Sequence, residues 1–213
     1  NMARVLMGAS RDGTAQKDAY FDTAGEILLS GMLLAAAVSR RPITYVYTWL
    51  TNSHDDEPAL ILKQAGYDRE AEAVASAVRM PEKQRAGVFG TAMNGVGFLS
   101  NRAAMVWCTP QDGDDGPYGR EEFDVRAFVR STGTLYSISK EGKGTAAPIV
   151  TMLTVAVSEA AEEYAQQSPG GRVPIPLVLV LDEAANVCRW GDLPDLYSHF
   201  GSRGIPVLTI LQS

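Results

Sequence analysis

Leu177-Val-Leu-Val-Leu181-Asp182-Glu183 runs five apolar residues straight into two adjacent carboxylates. The wider stretch Ile175 to Leu181 shows no alternation of apolar and polar residues. That pattern predicts a strand of a parallel sheet covered on both faces. Ligands of open α/β sheets bind beyond the carboxyl ends of the strands. The Asp182–Glu183 pair is therefore placed where such a fold does its chemistry.

Working outward, Leu193 to Phe200 reads as a helix and Val207 to Leu211 as a second continuous apolar run. Upstream, Ala147 to Gln167 has Ile149, Leu153, Ala156, Val157, Ala160, Ala161 and Tyr164 on one helical face. A Pro-Gly-Gly linker follows it, and Thr134 to Ser139 is a short β-type run ahead of it. Strand, helix, strand, helix, strand predicts an α/β fold with a parallel sheet and right-handed crossovers. One crossover would bring Gln212, just past the last run, beside Asp182 and Glu183 at one sheet edge. In a nucleotide-driven motor the first acid holds Mg²⁺ through water, and the second orients or deprotonates the attacking water. A Gln at that edge can touch both the γ-phosphate and that water. The plainer alternatives are an acidic pair capping a turn and a polar residue leaving a strand for solvent.

The first half reads as helices. From Tyr20 to Ser39 the apolar residues Phe21, Ala24, Ile27, Leu28, Met32, Leu33 and Ala36 recur every three or four positions, and Pro42 follows. Pro58 opens a second helix that closes at Gly66. Asp68 is expected to cap a third, through Val78. Pro81 opens a longer one towards Cys108, interrupted or weakened by Gly87, Gly90, Gly95 and Gly97, which suit close helix packing. The acidic, turn-rich stretch Pro110-Gln-Asp-Gly-Asp-Asp-Gly-Pro117 is the candidate boundary. The expectation is an all-helical domain over 1–123 and part of an α/β domain over 124–213.

The chain has 213 residues and is 46% hydrophobic, enough to bury a sizeable core. A net charge of -6 excludes a surface coated in basic residues, so any nucleic-acid contact is local. Lys83, Arg85, Arg102, Arg126 and Arg130 are the cations that could make it, against the default of solvated helix faces. Cys108 and Cys188 lack metal-ligand spacing and are expected to be reduced. The apolar stretch Ile27 to Val38 is too short to span a bilayer and reads as a buried helix. Asn1 ahead of Met2, and a terminus at the edge of a strand-like run, suggest a piece cut from a longer chain.

Three segments carry a resemblance: Leu181-Asp-Glu-Ala-Ala-Asn-Val-Cys-Arg-Trp190, Leu193-Pro-Asp-Leu-Tyr-Ser-His-Phe-Gly-Ser-Arg-Gly204 and Leu208-Thr-Ile-Leu-Gln-Ser213. Together they resemble the motor core of TraG/TraD-like coupling proteins of type IV secretion, and the actinobacterial branch in particular. Tyr20-Phe-Asp-Thr-Ala-Gly-Glu-Ile-Leu-Leu29 is similar to the opening of the helical insertion in that family. Thr134-Leu-Tyr-Ser-Ile-Ser-Lys-Glu-Gly142 is similar to the strand leading back into the motor. The resemblance implies a partial RecA-like (P-loop NTPase type) sheet carrying the Walker B strand, with an all-α inserted domain.

It further implies a parent that hydrolyses ATP with Mg²⁺ and works as a homo-hexamer tethered to the cytoplasmic face of the bacterial inner membrane through helices upstream. The parent would feed DNA with its attached relaxase to the inner-membrane components of a secretion channel. Asp182 would be the metal-side acid, Glu183 the water-activating base, Gln212 the phosphate sensor, and Arg203 an arginine finger. A solvated turn arginine is the alternative for Arg203. A second reading makes the helical half a non-catalytic docking module for relaxase or DNA-processing proteins.

One part is missing. A phosphate-binding loop needs Gly-x-x-x-x-Gly-Lys-[Ser/Thr], whose backbone amides and Lys hold the phosphates. The nearest string, Lys140-Glu-Gly-Lys-Gly-Thr145, lacks the first Gly and puts Gly144 where the hydroxyl belongs. The soluble piece is thus expected to bind ATP weakly and to be inactive alone. His54 and His199 read as single histidines without partners, and Trp190 as packing against the sheet edge.

Overall fold

In a computed structural model the chain is described over residues 2–10, 18–109, 123–139, 146–184 and 188–211. It forms two compact units, 1–113 and 114–213. The acidic stretch 110–117, the string 140–145 and Gln212 lie outside the described residues.

The first unit is helical: α1 (Met2–Ser10), α2 (Ala19–Val38), α3 (Thr44–Thr51), α4 (Glu57–Gln64), α5 (Asp68–Val78), α6 (Glu82–Val96), a 3₁₀ turn (Gly97–Ser100) and α7 (Arg102–Met105). α2 is its axis. Asp18 caps it, the carboxylate accepting from the Tyr20 and Phe21 amides, and α1, α3, α4, α5 and α6 pack round it. Leu28, Leu29, Met32, Ala35 and Ala36 are buried along its length. By length and apolarity α2 could cross a bilayer; here it serves as a core helix. Small residues let the neighbours close in. A Cβ at Gly31 would lie 2.5 Å from Val74 Cγ2, and one at Gly95 2.7 Å from Leu29 Cδ2. The glycines of α6 therefore do not break it.

One helical detail departs from expectation. Asp68 is the first residue of α5, and the capping position falls on Tyr67, which makes no side-chain cap. α3 forms from Thr44-Tyr-Val-Tyr-Thr-Trp-Leu-Thr51, β-branched and aromatic, a composition that favours strands. Packing overrides that preference, since Val46, Trp49 and Leu50 are buried. Around Trp49 a polar clasp closes. Its indole N–H donates to Glu57 Oε2 at 2.8 Å, and Arg41 Nη1 meets the same oxygen at 2.8 Å. The Arg41 guanidinium also lies over the Tyr45 and Trp49 rings, 4.8 and 5.7 Å from their centroids. Arg41, then Trp49, holds the Glu57 carboxyl below the usual glutamate range, and Glu57 raises Arg41 in return.

The second unit contains α8 (Val125–Phe128), α9 (Ala147–Gln167), a 3₁₀ turn (Pro169–Gly171), β1 (Leu179–Leu181), α10 (Leu193–Arg203) and β2 (Val207–Thr209). α9 buries Val155, Val157, Ala161 and Ala165, and its buried Thr151 and Ser158 hydroxyls donate to the Ala147 and Thr154 carbonyls. The two strands pair in parallel, Leu179 with Val207, Val180 with Leu208 and Leu181 with Thr209, with α10 as the connection between them.

The sheet itself corrects two expectations. Thr134 to Ser139 is not a strand: no strand pairs with it among the described residues, and Tyr136 and Ile138 are 83% and 90% exposed. Nor is β1 covered on both faces. Leu179 and Leu181 are buried while Val180 is 59% exposed, so an apolar strand presents one open face, shared with Val178 and Leu208.

Candidate functional site

The parallel ladder carries both strands to one rim. Leu177 N–H donates to Gly204 O at 3.1 Å, Leu179 N–H to Pro206 O at 3.0 Å, and Ile210 N–H to Leu181 O at 2.9 Å. Past the strand the chain turns through Asp182 and Glu183, and Ala184 N–H closes on Ile210 O at 3.3 Å. The acidic turn is therefore bound directly to the C-terminal end of β2. Gln212 follows Ile210 by two residues but lies outside the described set.

Within that turn Asp182 is exposed and Glu183 half-buried. Glu183 sits at φ +49°, in the left-handed region that a long side chain rarely adopts. Such strain persists only where surroundings impose it, and it clusters at functional sites. Among the described residues Arg40 at φ +55° is the other non-glycine case, and there it simply ends α2, with Arg41 N–H donating to Ala36 O. Glu183 ends no helix; it begins the turn that ties the two strands together. Sequence reasoning had no signal for it, since Glu is not a residue that marks positive φ.

Beside β1 lies a groove of about 570 Å³, walled by Val150, Thr154, Leu179, Leu181 and Cys188, and among the described residues Asp182 is the one charged residue lining it. Among the described residues no cation lines it to neutralise a phosphate chain. Burial pushes the Cys188 thiol up, against the opposing pull of the Thr154 and Thr151 hydroxyls beside it. Both cysteines are unbridged. Among the described residues no set of three His, Cys, Asp or Glu side chains could enclose a metal.

α10 is held on both sides. Tyr197 and Thr209 share a hydroxyl–hydroxyl bond, and His199 Nε2 meets Glu162 Oε1 of α9 at 2.5 Å. Both histidines thus have partners after all, since His54 Nε2 lies 3.0 Å from Arg85 Nη2. Trp190 is buried against Phe200, with ring centroids 5.7 Å apart. Arg203 turns inward, its Nη1 donating to Gly171 O at 3.1 Å.

Most of the cations named for DNA contact serve the fold. Arg85 Nη1 donates to the Met80 and Val78 carbonyls, Arg126 pairs with Glu163, and Arg130 lies 4.4 Å above the Tyr164 ring. Lys83 and Arg102 are exposed.

No curated protein and no solved structure matches the chain. Residues 176–213, which contain β1, the acidic turn, α10 and β2, match the family model described as the TraM recognition site of TraD and TraG, and this segment is accordingly TraG/TraD-like.

Proposed function

We infer that the chain is a fragment of a conjugative DNA-transfer coupling ATPase, of the actinobacterial branch, which links a relaxase–DNA substrate to a type IV secretion channel. The observation that carries this is the acidic turn hydrogen-bonded to the end of a parallel neighbour strand, inside the TraG/TraD-like segment. The second unit is then part of a RecA-like motor, and its two-stranded sheet is the piece bearing Walker B. The open face of Val178, Val180 and Leu208 is in keeping with a parent in which a further layer covers the sheet.

In this reading Asp182 holds Mg²⁺ through water and Glu183 is the base. Gln212, three residues past the end of β2 in the sequence, would sense the γ-phosphate. ATP with its Mg²⁺ supplies the electrophilic phosphoryl group in the parent. The parent's site is completed by a phosphate-binding loop and by hexamer assembly at the inner membrane. The strained backbone at Glu183 fits a residue held for chemistry at some cost in stability.

The test is a longer protein that includes the phosphate-binding loop. It is expected to bind Mg–ATP tightly, and Glu183→Gln is expected to lower turnover about 10²–10⁴-fold while sparing binding. Turnover within a few-fold of the parent would remove Glu183 from the role of base.

A second reading is favoured by the printed description of the matched family, a TraM recognition site. It makes 176–213 a docking segment for a TraM-type partner of the relaxase complex, and leaves the helical unit as a further docking module. Capture of the partner by the second unit, lost on disrupting α10, would support it. Capture of a relaxase by residues 15–123 would assign docking to the helical half.

A further inference from the structure

Two short motifs, Pro169-Gly-Gly-Arg172 and Gly201-Ser-Arg-Gly204, meet ahead of β1, and the arginine of each donates to backbone carbonyls of the other motif. Arg172 Nη1 donates to Ser202 O at 2.8 Å and Gly201 O at 3.3 Å, capping the carbonyl end of α10, where the helix dipole favours a cation. Arg203 Nη1 donates back to Gly171 O at 3.1 Å. Between them Val173 N–H donates to Arg203 O at 2.9 Å.

The glycines are those the exchange requires. Gly171 has φ +67°, and a Cβ on it would lie 2.8 Å from Arg203 Nη1. Gly204 has φ +82°, and a Cβ on it would lie 3.1 Å from Val173 Cγ2. The backbone bonds Leu177 to Gly204 and Leu179 to Pro206 follow directly from this clasp, so it sets the register in which Asp182 and Glu183 arrive beside Ile210.

We propose that Arg172 and Arg203 form a reciprocal latch that positions the acidic rim from within the same chain, and that Arg203 is a positioning residue, not a finger reaching into a neighbouring subunit. A finger must carry its guanidinium outward. Arg203 Nε is shielded from solvent with no hydrogen-bond partner among the described residues, and Nη1 is committed to its own chain. Withdrawing the side chain would leave the Gly171 carbonyl without that donor and open the entry to β1. Calling the rim catalytic rests on the motor reading above; the latch itself does not.

Hydrogen–deuterium exchange on the 213-residue chain tests it without nucleotide, so the outcome is separate from that of the ATPase experiment. Arg203→Ala and Arg172→Ala are each expected to speed exchange in 173–184 and 205–211 by about 10-fold or more, with the helical unit unchanged. The double variant is expected to add little, because both arginines secure one closure. Arg203→Lys, which keeps a cation able to reach the Gly171 carbonyl, should return exchange to within about 3-fold of the original. If Arg203→Ala unfolds the second unit outright, Gly171→Ala, which displaces the guanidinium, is the variant to read. Exchange unchanged in Arg203→Ala, or no recovery in Arg203→Lys, overturns the latch.

Discussion

At the residue scale the most informative position is Glu183. Its left-handed backbone predicts an ordering among substitutions that helix or strand preference does not. Glu183→Gly should leave the stability of the second unit within about 1 kcal/mol, because relief of strain offsets the greater freedom of the unfolded chain. Glu183→Val should cost about 1–2 kcal/mol, since a branched Cβ clashes most in that region. Chemical denaturation of both variants checks the ordering.

Glu57 offers a second check. Arg41 and Trp49 hold its carboxyl below the usual value of about 4.3, so the folded state binds that proton less readily than the unfolded one. The stabilisation is full above that value and fades as pH falls through the lower, folded-state value. Glu57→Gln should flatten that part of the acid limb in a denaturation series, by a modest amount because the pair is near the surface. An unaltered acid limb would mean the clasp around Trp49 contributes nothing to acid stability.

At the scale of elements, periodicity made α2, α4, α5, α9 and α10 legible, because each buries one face and carries proline, glycine or a cap at its ends. It failed where packing decides against composition. α3 is strand-like by residue type yet helical, because its i, i+3, i+4 set Val46, Trp49 and Leu50 is what the core takes up. Thr134 to Ser139 is strand-like by composition yet forms no strand, because a strand needs a neighbour that periodicity cannot supply. The glycines of α2 and α6 divide the same way. Gly31→Ala and Gly95→Ala should each destabilise the helical unit by about 1–3 kcal/mol through overpacking. Gly90→Ala, with nothing within 4 Å of its Cβ, should stabilise by up to about 1 kcal/mol. Thermal melts of the three variants distinguish packing glycines from merely tolerated ones.

For the candidate site, the carboxylate pair and the parallel neighbour could be read from Leu177 to Glu183 and Val207 to Leu211. The arginine latch could not, because Arg172 and Arg203 meet only through carbonyls thirty residues apart along the chain, which leave no mark on residue type.

For the whole molecule, charge and topology set the expectations. With a net charge of -6, and with Arg85, Arg126 and Arg130 engaged within the fold, duplex DNA should bind no tighter than about 10⁻⁴ M at physiological salt. Fluorescence anisotropy with a labelled duplex checks this, and a submicromolar affinity would contradict it.

Everything functional depends on β1 and β2 arriving side by side, in one direction and one register. Val180 and Leu208 are register partners on the open face, within the spacing a disulfide can span. In a chain with Cys108 and Cys188 replaced by Ser, Val180→Cys with Leu208→Cys should oxidise to an intramolecular bridge far faster than the offset pair Val178→Cys with Leu208→Cys. Faster bridging of the offset pair, or none by either, would contradict the shared rim.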